Sequence, residues 1–298
     1  MQTQFADGLF VDTVLPEDVT GAPVLCLHGL FAGSWVFEQL LPLIAARGHP
    51  AHALAFRGHP PGPPIPDIGR QSVTDYALDA TAAARALDRP IIIGHSLGGL
   101  VALILAGRNL ARAVVLVSPA PSRGVSVFTP QLLLRTMRYV PSLLFSRAFL
   151  PAASDIDALV LNVVPPDERG PIRERLIADS GRAAREAALG VFRIPPRAVR
   201  TPMFVVGCEH DRFIPSRVAE KVARKYDAPL HIAKNHGHFL LAEPGWQQEA
   251  GVILDWIDAL PRVLRAAEGS RPSLGTENSP PATGVDSVAT HHPTRRPS

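Results

Sequence analysis

Three short segments hold the side chains able to break a covalent bond. Gly94-His95-Ser96-Leu97-Gly98-Gly99 sets a serine among glycines, Val205-Val206-Gly207-Cys208-Glu209-His210-Asp211 ends an apolar run in two carboxylates, and Asn235-His236-Gly237-His238-Phe239 carries two imidazoles. A serine hydroxyl is a weak nucleophile until a base takes its proton, and the base works only when a third group fixes its tautomer. Serine, imidazole and carboxylate together point to nucleophilic attack on an acyl carbonyl, with Ser96 as nucleophile and His238 as base. His236 is the neighbouring alternative, read as a loop residue. Asp211 is preferred as the orienting acid because it lies further beyond the apolar run than Glu209, the fallback.

A bare G-x-S-x-G pattern is common, so its setting decides its weight. Ile91-Ile92-Ile93 precedes it as a buried strand, and a helix is predicted from Leu97 to Ala106. A sharp strand-to-helix turn lifts the hydroxyl above a sheet and aims the helix N-terminus at the reacting centre. The oxyanion formed there needs backbone donors. Leu97 N–H, directly after the serine, supplies one. His28-Gly29-Leu30-Phe31, after the first buried strand, supplies the other, with Leu30 the preferred donor and Phe31 the adjacent alternative. His28 itself is read as a buried packing residue.

The elements that carry these segments alternate along the chain. Strands are predicted at Val24–Leu27, Ala51–Phe56, Pro90–Ile93, Ala113–Val117, Met203–Val206 and Leu230–Ala233, with helices at Trp35–Arg47, Val73–Leu87, Leu97–Ala106, Ser216–Lys225 and Trp246–Leu260. Continuous apolar strands between helices indicate an α/β fold with a largely parallel sheet covered on both faces. Residues 1–119 and 197–262 form its core. From 120 to 196 the pattern is helical, broken by prolines, with no convincing strand, and is read as a cap over one end of the sheet. Its Met137 and Leu144, with Phe31, His95 and Phe239 from the core, are candidate substrate contacts, although such apolar residues equally serve to bury a cap. Residues 263–298 are poor in apolar side chains and are expected to be a disordered tail.

The 298 residues include 46% hydrophobic and 19% charged residues with a formal charge of +3, ordinary for a protein with a sizeable core. The basic residues are scattered, without the aromatic-interleaved cluster of a nucleic-acid binder. No apolar run reaches the ~18 residues of a membrane span, and the first residues show no basic-then-apolar leader. Cys26 and Cys208 are isolated in apolar runs, which suits a reducing compartment, so a cytoplasmic location is expected. His49, His52 and His59 lie close in sequence without a ligand constellation, and no metal site is assigned.

In their order, LHGLFAGSW, FRGHP, IIIGHSLGG, VVGCEHDRFIP and NHGHFLLAEPGW resemble the α/β-hydrolase superfamily from about Val11 to Leu260. The resemblance implies the α/β-hydrolase fold: a mostly parallel eight-stranded sheet, a helical cap after the sixth strand, a Ser–Asp–His triad in that chain order, and no metal or organic cofactor. Relatives often carry an acidic residue before R-G-H-G, whereas Ala55 stands at that position here and Pro60 replaces the final glycine. Serine in place of aspartate argues against alkyl-ester chemistry of the haloalkane dehalogenase or epoxide hydrolase kind. The expected activity is hydrolysis of a small carboxylic ester with an apolar acyl group. An acyltransferase, thioesterase, C–C bond hydrolase or perhydrolase would use the same triad, and a ligand receptor on a hydrolase scaffold is a further class. Partitioning of product to an added alcohol or thiol separates transfer from hydrolysis.

Overall fold

The computed structural model describes residues 2–4 and 8–269, with side chains described for 8–260. An eight-stranded sheet runs in the order β1 (Gln2–Gln4), β2 (Phe10–Val14), β4 (Ala51–Ala55), β3 (Val24–Leu27), β5 (Ile91–His95), β6 (Ala113–Val117), β9 (Met203–Cys208) and β10 (Leu230–Ala233). Strands β4 to β10 pair in parallel, while β1 and β2 form an antiparallel edge. The alternation of strand side chains explains the unbroken apolar runs. Leu25, Leu27, Leu54, Ile92, Val114, Leu116 and Val205 point to one face, against α2 (Val73–Ala86), α3 (Leu97–Gly107) and α9 (Ser216–Tyr226). Val24, Cys26, Ile91, Ile93, Val115, Val117 and Val206 point to the other, against α1 (Leu40–Ala46) and α10 (Trp246–Gly269). Burying both faces requires apolar residues at both parities.

Local signals set several helix ends. Ser72 and Asp75 close a reciprocal capping box at the start of α2. The helix expected from Trp35 divides into a 3₁₀ turn at Ser34–Phe37 and α1. Helix α10 continues to Gly269, so its last turns occupy positions read as tail, and the rest of the expected tail lies outside the described residues.

Between β6 and β9 the chain forms α4 (Pro130–Thr136), α5 (Val140–Leu144), α6 (Ala153–Leu159), α7 (Arg169–Glu174) and α8 (Gly181–Ala188). It also contains an antiparallel pair, β7 (Ala148–Phe149) with β8 (Asp179–Ser180), where no strand was expected. Two-residue strands carry no periodicity, and this pairing joins Phe149 to Asp179 and Ala148 to Ser180, 30 and 32 positions apart, so it exists only through tertiary contact.

Candidate active site

The serine turn is built by backbone crowding. Ser96 sits between β5 and α3 at φ 55°, ψ −117°, outside the ordinary regions for an L-residue, a conformation that costs on the order of 1–3 kcal/mol and persists only where its surroundings enforce it. Here Ser96 N–H donates to Val117 C=O, and Ser96 C=O accepts from Ala120 N–H, tying the turn to the end of β6. The flanking glycines allow the close passage. A Cβ on Gly94 would lie 2.3 Å from Gly98 O, and one on Gly98 would lie 2.0 Å from Leu27 O.

The histidine loop after β10 brings His238 Nε2 to 3.2 Å from Ser96 Oγ, while His238 Nδ1 lies 2.8 Å from Asp211 Oδ2. Asp211 is held from its other oxygen, which accepts from Phe213 N–H at 2.9 Å and Ile214 N–H at 2.7 Å. A carboxylate facing Nδ1 makes that nitrogen the donor and leaves Nε2 as the acceptor for the serine hydroxyl. Glu209 turns away, exposed, to pair with Lys234 and accept from Asn235 N–H. His236 is buried and meets Glu243, whose carboxylate also accepts from Gly237 N–H at 2.7 Å, fixing the loop that carries His238. Burial raises the Glu243 carboxyl against the opposing pull of these two bonds.

Two buried imidazoles flank the centre in their neutral form. Burial lowers His95 to about 3, reinforced by repulsion from His238, and its Nε2 lies 2.8 Å from the His238 carbonyl. Burial likewise lowers His28 to about 3, with repulsion from His59 beside it. His28 Nδ1 contacts Gly29 C=O and its Nε2 accepts from Phe56 N–H, so it packs the loop from beneath.

That loop presses on the nucleophile, for a Cβ on Gly29 would lie 2.9 Å from Ser96 Cβ. Of the two candidate donors in this loop, Phe31 N–H is engaged by Asp179 Oδ2 at 2.8 Å, which leaves Leu30 as the candidate there, and Leu97, the other candidate, takes the first position of α3. A cavity of about 180 Å³ opens beside Ser96 and His238. Phe31, His95 and Phe239 line it together with Leu132, Tyr139, Phe149, Ile156 and Leu159. Met137 and Leu144 do not reach its wall and are 65% and 63% exposed. The 3₁₀ turn at Met137–Tyr139 rotates Met137 outward and Tyr139 inward, and Leu143 takes the inward position beside Leu144.

Asp179, Tyr76 and Asp79 are not singled out from the sequence, and His59 is considered there only to set aside a metal site. His59 instead contacts Asp179 at 2.9 Å, His49 contacts Ala22 C=O and His52 contacts Thr13. Asp79 of α2 grips the Arg57 guanidinium and backbone N–H, supplying in space the acid that is absent at Ala55. Asp179-Ser180-Gly181 carries a legible signal, a helix N-cap for α8, but that signal is silent about the partners of Asp179.

The chain matches a model of the alpha/beta hydrolase family over residues 24–247. It is 34% identical over 113 residues to the probable esterase PIR7A of Oryza sativa subsp. indica, a stretch covering 35% of this chain and 41% of the relative. It is 36% identical over 85 residues to a pyrethroid hydrolase of Sphingobium wenxiniae, covering 27% of this chain and 29% of that protein. These matches therefore span well under half the length of the curated relatives. Among solved structures it resembles a soluble variant of monoglyceride lipase from Saccharomyces cerevisiae (TM-score 0.71, 15% identity, 87% of this chain and 94% of the other). It also resembles the esterase RhEst1 from Rhodococcus sp. ECU1013 (TM-score 0.64, 20% identity, 87% and 98%), likenesses that speak for the fold alone. No helix among the described residues is long and apolar enough to cross a membrane. With the family match spanning more than half of its length and the eight-stranded sheet in place, this chain belongs to the alpha/beta hydrolase family.

Proposed function

We propose that this protein hydrolyses small carboxylic esters with an apolar group, by way of a Ser96 acyl-enzyme. The observation that carries the reading is the relay from Asp211 through His238 to Ser96, at 2.8 and 3.2 Å, opening on an apolar cavity. Ser96 Oγ attacks the ester carbonyl while its proton passes to His238 Nε2. Asp211 holds the imidazole in the accepting tautomer and stabilises the imidazolium that forms. The N–H groups of Leu30 and Leu97 hold the oxyanion. The tetrahedral intermediate collapses, the ester C–O bond breaks, and the leaving alkoxide takes the proton from His238. Water deprotonated by the same histidine then attacks the acyl-enzyme and releases the acid and Ser96.

Residues 120–196 act in this reading as a cap, since Leu132, Tyr139, Phe149 and Ile156 from that insertion form the cavity's far wall. The resemblance to proteins called a probable esterase and a pyrethroid hydrolase supports ester chemistry. The test is turnover of a chain-length series of nitrophenyl esters by the wild type and Ser96→Ala. Turnover should peak at the chain length that fills the cavity and vanish in the folded variant. Residual turnover in Ser96→Ala at the wild-type level removes the nucleophile, and no turnover on any ester removes the substrate class.

A further inference from the structure

Asp179 comes from the insertion, yet its carboxylate is fully buried beneath the loop that presses on Ser96. Oδ2 accepts from Phe31 N–H at 2.8 Å and meets His59 Nε2 at 2.9 Å. Oδ1 accepts from Tyr76 O–H at 2.6 Å and from Ser180 N–H at 2.6 Å. His59 Nδ1 faces the Arg57 carbonyl at 3.0 Å. Both ring nitrogens of His59 thus face acceptors, the arrangement of an imidazolium, and Asp179 is an acceptor for four donors, the arrangement of an ionised carboxylate. The shifts agree in direction. Burial works against both charges, but the mutual attraction and these bonds outweigh it, raising His59 and holding Asp179 down at about 2.

Phe31, the residue clasped by this pair, is itself strained. It is not a glycine, yet its φ is +67°. The insertion grips it three times. Asp179 takes its N–H, Ile177 N–H donates to its carbonyl at 2.8 Å, and Phe149 meets its ring edge-on at 5.2 Å. Asp179 thus holds the Leu30–Phe31 peptide unit, and the Leu30 N–H lies in the adjoining unit, joined to it through the Leu30 Cα.

We propose that Asp179 is a positioning residue for the oxyanion hole: by clasping Phe31 from the insertion, the Asp179–His59 pair sets the direction of the Leu30 N–H above Ser96. The inference rests on the ester-hydrolase reading and adds that the insertion completes the catalytic machinery as well as walling the cavity. A hydrolytic site assembled in this way is competent only while residues 177–179 are seated.

Asp179→Asn separates this role from packing. The amide keeps the volume but has one acceptor oxygen, so its NH₂ must face either the Phe31 or the Ser180 backbone N–H in any orientation. Removing an oxyanion donor outright lowers kcat by about 10²–10³-fold, so a misdirected donor is expected to lower it by about 10–100-fold, with KM within about twofold because the cavity wall is intact. Tyr76→Phe, which removes one bond and keeps the fold, should lower kcat in the same direction by a smaller factor. Two readouts do not depend on ester turnover. Amide hydrogen exchange of a peptide covering residues 28–34 should accelerate at least tenfold in Asp179→Asn, and phosphonylation of Ser96 by an alkyl fluorophosphonate should slow at least tenfold. All are read well below the melting temperature of each variant.

Unchanged exchange in residues 28–34 overturns the clasp. Faster exchange with unchanged kcat and unchanged phosphonylation overturns its catalytic role. A rise in KM with kcat preserved assigns Asp179 to the cavity and also overturns the proposal. A wild type that turns over no ester yet is phosphonylated at Ser96, tenfold slower in Asp179→Asn, removes the ester reading and upholds the positioning role.

Discussion

Replacing Asp211 by asparagine exchanges one carboxylate oxygen for an NH₂ group, and the surroundings decide which oxygen is lost. The Phe213 and Ile214 N–H groups, at 2.9 and 2.7 Å, both point at Oδ1 and require an acceptor there. The amide oxygen therefore takes that position, and the NH₂ is turned toward His238 Nδ1, where Oδ2 lay at 2.8 Å. An imidazole facing a donor through Nδ1 must carry its proton on Nε2, the nitrogen 3.2 Å from Ser96 Oγ. The base then presents a donor where it has to accept. A wrong tautomer of this kind lowers kcat by about 10⁴-fold, which is about 5.4 kcal/mol of barrier at 1.36 kcal/mol per decade. Stability should fall by less than about 1 kcal/mol, because both backbone N–H groups keep their acceptor. Asp211→Ala behaves differently, since it leaves both N–H groups without an acceptor at about 1–3 kcal/mol each. The assay is kcat for a nitrophenyl ester beside denaturant unfolding for both variants. Asp211→Asn retaining more than a tenth of wild-type kcat would refute the tautomer argument, and equal destabilisation by Asn and Ala would refute the assignment of the amide oxygen.

Stability should peak near neutrality and fall on both sides. His28 and His95, lowered to about 3 in the fold, titrate near 6.5 when unfolded. As pH falls below about 6.5 the unfolded chain therefore binds more protons, and each histidine removes up to about 1.4 kcal/mol per pH unit. Asp179, lowered to about 2, adds the same sign below about pH 4. The raised Glu243 opposes them as one carboxyl against two imidazoles. On the alkaline side, the raised His59 contributes stability that is fully present below about 6.5 and lost as pH rises through its folded value. Thermal unfolding from pH 4.5 to 9 checks this, and a melting temperature that is flat or rising from pH 6.5 to 4.5 refutes it. Gly98→Ala places a Cβ 2.0 Å from Leu27 O and 2.7 Å from His28 O, rigid backbone on both counts, and should cost at least about 3 kcal/mol. Gly170→Ala meets nothing within 4 Å and should be neutral or stabilising by up to about 1 kcal/mol. Urea unfolding of the two compares them, and similar midpoints would refute the crowding account of the serine turn.

Much of the fold and of the placement of the candidate residues was legible because the signals for it are local. The central strands β3 to β6 and β9 are buried along their length on both faces; Ala113–Val117 and, at the sheet edge with only Ala233 buried, Leu230–Ala233 occur at their expected positions. The strand–turn–helix around Ser96 is a single stretch in which neighbouring residues dictate the geometry. His238 and Asp211 follow strands that must end at the same edge of a parallel sheet, so chain order alone brings them toward one place. The choice between Asp211 and Glu209 turned on a two-residue difference in how far each lies beyond β9, which the loop length resolves.

What tertiary structure decided lies where partners are distant in sequence. Asp179 meets His59, Tyr76 and Phe31 across 103 to 148 positions, and nothing in A-D-S-G-R distinguishes such a carboxylate from an ordinary helix cap. Arg57 likewise finds its acidic partner in Asp79 on α2, although alanine, Ala55, stands at the local acidic position. Met137 and Leu144 share the composition of cavity residues but not the phase, because a 3₁₀ turn between short helices resets the face by an amount that no periodicity shows. The residue types thus determine which chemistry is available and which strand carries each participant. The sequence prefers Leu30 to Phe31 as the candidate oxyanion donor, but what occupies the Phe31 N–H belongs to the folded chain, since that partner is a buried carboxylate from the insertion and a hydrogen bond's partner is settled by distance in space.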